Sequence, residues 1–345
     1  LINDFIDTEA GEAVIKKTTS FLMLLLVLFF IYPAVESYNF KNGLNKSYAS
    51  EWLNLYVLPN YDTSKIEQVN SEQSYSIEYT IGESFEAGDH DVEAVIDSEF
   101  GGKFNIINKD GIFHILLVNE GEITGLYTNN EEVSIDSINI QGMDRDSIRK
   151  IYERPVKTVD KGSKHLIVEN EEYDVFDIND KYVYFFYDVY EEDKVNGLLT
   201  VKKSEMKHSD SMYNHPPEED NEVLNHHLIN ATRIKYGAAP LEHDPTVSEA
   251  AAGHSKDMSD NDYFSHTAPD GSTLKNRIEA MDISYRLAGE NIAMGHTSPI
   301  FSHHSLMNSK EHRVNTLNDS YTHLGIGVDY NTDEVPYYTE NYIKK

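Results

Sequence analysis

His254-Ser255-Lys256-Asp257-Met258, Tyr263-Phe264-Ser265-His266, Gly289-Glu290-Asn291-Ile292-Ala293 and Asn308-Ser309-Lys310-Glu311-His312-Arg313 follow one another in the last 125 residues of the chain. Leu324-Gly325-Ile326-Gly327-Val328 and Tyr337-Tyr338-Thr339-Glu340-Asn341 come after them. The surrounding periodicity is mixed. Glu222 to Tyr236 reads as an amphipathic helix, with Val223, Leu224, Leu228, Ala231 and Ile234 at helical spacing and Gly237 ending it. Asp244-Pro245 opens a second helix as N-cap and first helical residue. That helix puts His254 and Met258 on one face. Ser272 or Thr273 caps a third helix through Arg277 to Met281, and Ser298-Pro299 starts a fourth that carries His303, His304, Leu306 and Met307. Leu324, Ile326 and Val328 alternate with glycine, which predicts a strand lying beneath something packed closely. Tyr337 to Ile343 is the last strand.

In this order and spacing, the four opening signatures resemble the CAP superfamily (cysteine-rich secretory proteins, antigen 5, pathogenesis-related 1 proteins) in its short bacterial form. The resemblance runs from about Glu222 to Ile343. It implies an α+β fold, a three-layer α-β-α sandwich over 222–345, with a cleft lined by two histidines and two glutamates. Carried over position by position, His266 matches the first histidine, Glu290 the first glutamate and His312 the second histidine. The second glutamate has no match; it would fall near Leu306–Ser309. Leu306 stands where relatives usually carry Trp, and Glu340 where Gln is usual, so Glu340 is a candidate to restore a carboxylate to the cleft. The disulfides of eukaryotic relatives are impossible here, because the chain has no cysteine.

His266, Glu290 and His312 are the candidate ligand-binding residues. Two neutral imidazoles and a carboxylate suit zinc or a similar divalent ion with a position left for water. His266 and His312 are then the metal ligands, and zinc or magnesium the cofactor; no other is expected. Without metal, the carboxylate and imidazoles could do acid–base work. They could also hydrogen-bond one another and pin the loops beneath the helices. No residue is assigned as catalytic: there is no serine-centred elbow and no His-Glu-x-x-His motif. His254 is expected to pack inside the domain. His303 and His304 diverge by about 100° on a helix and cannot share a metal; they are expected at the surface, as are His226 and His227. Arg313 could bridge to an acidic partner, and Asn291 could fix a turn.

The 345 residues include 23 Tyr and 14 Phe, enough to build packed cores, and carry a net charge of −30. That charge argues against a nucleic-acid partner, which needs Lys and Arg against phosphate. The acidity is uneven. Residues 221–345 hold 10 Lys and Arg against 17 Asp and Glu, which leaves 19 against 42 for the remainder. Histidine is skewed the other way, with ten of 15 after Asn221.

Residues 1–20 read as a cytoplasmic tail and 21–37 as a transmembrane anchor, with a cleaved signal segment as the alternative. The uncharged run centres on Phe21 to Tyr32, and Lys16 and Lys17 flank it, so the bulk of the chain should face outward. Residues 38–74 form a connector. From 75 to 204 the pattern is strands and turns, among them Ile112–Val118, Ile123–Thr128, Tyr182–Asp188 and Leu198–Val201, with Asn196-Gly197 near a turn. Gly82-Glu83-Ser84 and Gly142-Met143-Asp144, 60 positions apart, open what reads as two degenerate repeats. Each repeat places a short helix before its hairpin, Asp91 to Ile96 in the first and Ser147 to Tyr152 in the second. Two copies packed together would bury sheet faces that neither could bury alone. This strand-rich α+β domain resembles the CAP-associated region of bacterial relatives. Residues 205–221 are an exposed linker, and 222–345 are the CAP (SCP) domain.

Three functions stay open at this level: an extracytoplasmic binder of a cation or a small envelope ligand (lipid, glycan or another wall component), a metal-assisted hydrolase or peptidase, and a scaffold with a vestigial cleft.

Overall fold

A computed structural model describes residues 77–207 and 213–345, all within one compact unit, Asn54–Lys345. The expected tail, membrane segment and connector over 1–74 lie outside the described residues. Among the described residues, no helix is long and apolar enough to cross a membrane.

The first part is built on β2 (Val92–Asp97), β3 (Lys103–Lys109), β4 (Ile112–Asn119), β5 (Glu122–Thr128), β9 (Tyr173–Ile178), β10 (Lys181–Asp188) and β11 (Lys194–Lys202). They form one antiparallel seven-stranded sheet in the order β2-β3-β4-β5-β11-β10-β9. The two hairpin groups therefore join side by side through β5 and β11. Short strands β1 (Ile77–Tyr79) and β6 (Val133–Ile135) pair with each other, as do β7 (Thr158–Lys161) and β8 (Lys164–Ile167). Helix α1 (Arg145–Tyr152) is capped by Asp144, which accepts from the Ser147 amide.

The stretch expected as a helix over 91–96 forms β2, Val92–Asp97, instead. Val92, Ala94 and Ile96 alternate with the more exposed Glu93 and Val95, and that is a period of two. Asn196-Gly197 lies inside β11. The β10–β11 turn is made instead by Glu192-Asp193, both with positive φ, 55° and 57°. Gly197 serves packing: a Cβ there would sit 2.6 Å from His304 Nε2.

The second part comprises α2 (Glu218–Lys235), β12 (Glu242–His243), α3 (Pro245–Asp260), α4 (Leu274–Ala280), β13 (Leu287–Met294), α5 (Pro299–Met307), α6 (Lys310–Leu317), β14 (His323–Tyr330) and β15 (Pro336–Lys344). Its sheet runs β12-β14-β15-β13. Helix α2 begins four residues before the expected Glu222, where Glu218, Glu219 and Asp220 favour the positive end of the helix dipole. Helix α3 lies on one sheet face, against Gly325 and Gly327. On the other face Leu324, Ile326, Val328, Tyr338 and Tyr342 pack with Ile229 of α2 and Leu306 of α5.

The two parts share a core. Leu224, Leu228 and Ala231 of α2 and Ile300 of α5 join Ile106, Ile115, Leu117, Tyr127, Phe186 and Leu199 in one apolar cluster. Helix α2 is thus buried between two sheets. This layer overturns the expectation that His303 and His304 are surface residues. His303 Nε2 meets Thr232 Oγ1 at 2.7 Å. His304 stacks on Phe186 with ring centroids 4.1 Å apart, and its Nε2 lies 2.9 Å from the Tyr127 hydroxyl. His226 and His227 are half-buried at the rim of the same seam, with His227 3.3 Å from Glu93. The expected linker also takes part in the packing, since Met206 and Asn221 are buried.

Burial lowers the pKa of His303 from 6.5 to about 3, and of His114, His226, His254, His296 and His312 to about 4. The unfolded chain therefore binds protons that the folded one refuses. Their contribution to stability is fully present above pH 6.5 and is lost progressively between 6.5 and about 4. These histidines outnumber the carboxyls displaced as far the other way, Glu99 and Glu222, each raised to about 7 by burial. The thermal midpoint, followed by circular dichroism, should therefore fall steeply from pH 6.5 to 4.5. A flat profile over that range would contradict the buried, neutral state.

Candidate ligand-binding cleft

Strand β13 is an edge strand, so groups from both faces of the sheet can meet around it. Its alternation sends Glu290 toward α3 and α4 and Asn291 toward α6. The loop after α3 carries His266, whose Nδ1 lies 2.8 Å from Glu290 Oε1. Arg277 of α4 donates through Nη2 to Glu290 Oε1 at 2.9 Å and Oε2 at 2.7 Å. His254 of α3 brings Nε2 within 3.9 Å of Glu290 Oε1. The Glu290 side chain is 3% exposed. Burial pushes its carboxyl up, but the His266 hydrogen bond and the charges of Arg277, His254 and His266 outweigh that and hold it below its ordinary value.

His312 projects from α6. Burial and the nearby charge of His266 lower its pKa to about 4, so its ring is neutral near pH 7. Its Nδ1 is buried and has no hydrogen-bond partner among the described residues. His254 is fully buried, as expected, and makes no well-formed hydrogen bond through either ring nitrogen. The structure thus joins His266 directly to Glu290, and His312 lies within electrostatic reach of His266.

Glu340 is not in this cleft. It points to the opposite face, where it accepts from Asn225 at 3.0 Å, Asn291 at 3.1 Å and the Tyr342 hydroxyl at 2.7 Å. The reason is register: Glu340 pairs with Asn291, and Asn341 pairs with Glu290. Side chains paired across antiparallel strands share a face. Asn291 fixes no turn; its amide ties the sheet to the His312 carbonyl at 3.2 Å and accepts from Asn315 at 3.0 Å.

Arg277 is the residue that sequence reasoning missed as a site member. No spacing announces it. The only signal was physical: a carboxylate destined for burial needs a cation beside it. The clamp also bears on metal binding. Both Glu290 oxygens are already engaged, and no group of three or more His, Asp or Glu among the described residues is arranged to hold a metal ion. As arranged, the residues do not fit a divalent cation.

Arg277→Met should strand the Glu290 carboxylate and cost about 3 kcal/mol at pH 7, read by urea unfolding. Because the folded carboxyl titrates below its ordinary 4.5, the stability that Arg277 supports is present above that value and is lost as the pH falls through the folded one. The difference between variant and parent should therefore shrink as the pH falls below 4.5.

Residues 226–342 match the family model described as the cysteine-rich secretory protein family, CAP, and residues 90–211 match the one described as CAP-associated N-terminal. Over 118 residues, 34% of this chain, the sequence is 43% identical to the uncharacterized membrane protein YlbC of Bacillus subtilis, covering 33% of that protein. Over 100 residues, 29% of this chain, it is 43% identical to the uncharacterized protein YkwD of the same organism, covering 39% of it. The matched stretches thus span between a third and two fifths of those relatives. Among solved structures, an extracellular protein containing an SCP domain from Bacillus anthracis is similar with a TM-score of 0.65 at 24% identity, over 81% of this chain and 99% of that one. A cysteine-rich secretory protein of Staphylococcus aureus gives a TM-score of 0.60 at 17% identity, over 77% of this chain and 94% of that one. At these identities the likeness is one of fold.

Proposed function

The chain belongs to the cysteine-rich secretory protein (CAP) family, with a CAP-associated N-terminal domain before the CAP domain, and from that premise we propose that it is an outward-facing envelope protein whose cleft binds a small, neutral, polar ligand, a glycan in particular. The outward placement is supported by the apolar run centred on Phe21 to Tyr32, by a relative named as a membrane protein, and by a fold neighbour described as extracellular.

The observation that carries the ligand class is the state of the polar groups. Glu290 is saturated by His266 and Arg277, while His312 presents a buried nitrogen with no partner among the described residues. A neutral imidazole both donates and accepts, which suits the hydroxyl and amide groups of a sugar. A divalent cation would have to separate Glu290 from Arg277. A hydrolase using Glu290 as general base would work with a carboxylate whose basicity the same clamp has lowered. The side-by-side hairpin groups of the sheet, with bridges Ser84 to Glu122 and Asp144 to Lys194 in matching places, support the reading of a degenerate duplication in the associated domain.

The test is calorimetric titration of the full chain, and of its His266→Ala and His312→Ala variants, with tri-N-acetylchitotriose and separately with zinc. Saccharide binding that either variant abolishes is the expected result. Micromolar zinc binding lost in both variants, with no saccharide binding, would replace this reading with the metal one.

A further inference from the structure

The Asn308–Arg313 signature divides its polar residues between two tasks. His312 holds the buried, unpartnered Nδ1 on which the cleft reading rests. Asn308 and Arg313 face the other domain, at the end of β10 and the turn after it. Asn308 donates to the Tyr187 carbonyl at 2.9 Å and accepts from the Val189 amide at 3.1 Å. Arg313 Nη1 donates to Asp188 Oδ2 at 2.8 Å, and the same oxygen accepts from the Tyr236 hydroxyl at 2.7 Å. The guanidinium lies over the Tyr236 ring at 4.8 Å and the Tyr190 ring at 5.5 Å. Asp188 is buried, and its other oxygen accepts from the Tyr190 amide at 2.9 Å. Helix α6 is only eight residues long, and Arg313 ties one side of it to the other domain. Its far side is held by Asn291, on the His312 carbonyl.

We propose that Asp188, on the CAP-associated domain, is a positioning residue for the CAP cleft: through Arg313 it sets where α6 holds His312. Cleft and seam are then coupled, and the coupling is reciprocal. A ligand engaging His312 tightens the hold of α6 on the β10–β11 turn, and loosening that turn weakens the ligand site. The ligand consequence rests on the cleft reading above. The positional one does not, and it is measured without ligand.

The experiment is nuclear magnetic resonance of the full, ligand-free chain at pH 7.5. It follows the imidazole nitrogen resonances of His312 and His254 and the exchange of α6 amides. Asp188→Asn should displace the His312 resonances and reduce α6 protection, with His254 in place. Tyr127→Phe removes a seam hydrogen bond to His304 that does not touch α6. It serves as the control and should leave His312 unmoved even if the thermal midpoint drops. His312 unmoved by Asp188→Asn, or moved as far by Tyr127→Phe, overturns the proposal. Should Asp188→Asn fail to fold, Arg313→Lys, which keeps the charge and loses the planar fork, is judged by the same two criteria. His312 displaced as expected in a protein that binds no saccharide would sink the ligand reading alone.

Discussion

Arg313→Ala is expected to destabilise the protein by about 3–5 kcal/mol, the usual cost of leaving one member of a buried ion pair without its partner. The Asp188 side chain is 2% exposed and that of Arg313 10%, so water cannot take over the lost role. Alanine also leaves the Tyr190 and Tyr236 rings without the cation that both cover. Asp188→Ala should cost a similar amount, because it buries an unpaired guanidinium. The double change Asp188→Ala/Arg313→Ala should cost clearly less than the sum of the two single changes, since charge is then removed from both sides. Urea unfolding of the four proteins, treated as a double-mutant cycle, measures this. Nearly additive losses would mean that the pair is hydrated in solution.

Gly327→Ala is expected to be comparably severe, about 3 kcal/mol or more, beyond ordinary overpacking because the obstacle is backbone. A Cβ at 327 would overlap the Ala251 carbonyl carbon and the Ala252 amide nitrogen of α3, and one at 325 would overlap Val247 and Ser248. Helix α3 would have to lift from the sheet, and it carries His254 and the Ser255 hydroxyl that donates to the Gly327 carbonyl at 2.9 Å. Gly253, on the same helix, has no atom within 4 Å of the place a methyl group would take, and it provides the control. Gly253→Ala should be neutral or slightly stabilising, because alanine favours helix by up to about 1 kcal/mol. Equal thermal midpoints for Gly327→Ala and the parent would refute the close approach.

That close approach was legible in the sequence. Glycines at 325 and 327 between buried aliphatics demand a strand with something pressed onto one face, and α3 is what presses. The caps at Asp244 and Thr273 and the prolines at 245 and 299 likewise fixed where helices begin. The failures share one cause. Amphipathic reasoning supposes one wet side, and α2 has none for much of its length. For the same reason His303 and His304 read as surface residues: nothing local tells that an apolar sheet far earlier in the chain, with Tyr127 and Phe186, covers them. At the cleft, motif matching supplied His266, Glu290 and His312, but register alone decides that Glu340 turns away. Arg277 needed the fold to be found. Residues 91–96 show the remaining weakness, since six residues containing Val92, Val95 and Ile96 fit either period until their neighbours are known.

The helical layer between the sheets changes what a module means in this protein. A fragment beginning at Asn221 would keep the whole family signature and lose the sheet that covers one side of α2 and α5. Leu224, Leu228, Ala231 and Ile300 would meet solvent in place of Tyr127, Phe186 and Leu199, and Lys235 would lose the Asn129 carbonyl that it bonds at 2.7 Å. A boundary drawn from homology would therefore run through a core, not between two. Dissecting such a chain calls for repainting the α2 and α5 faces with polar residues as well as shortening it.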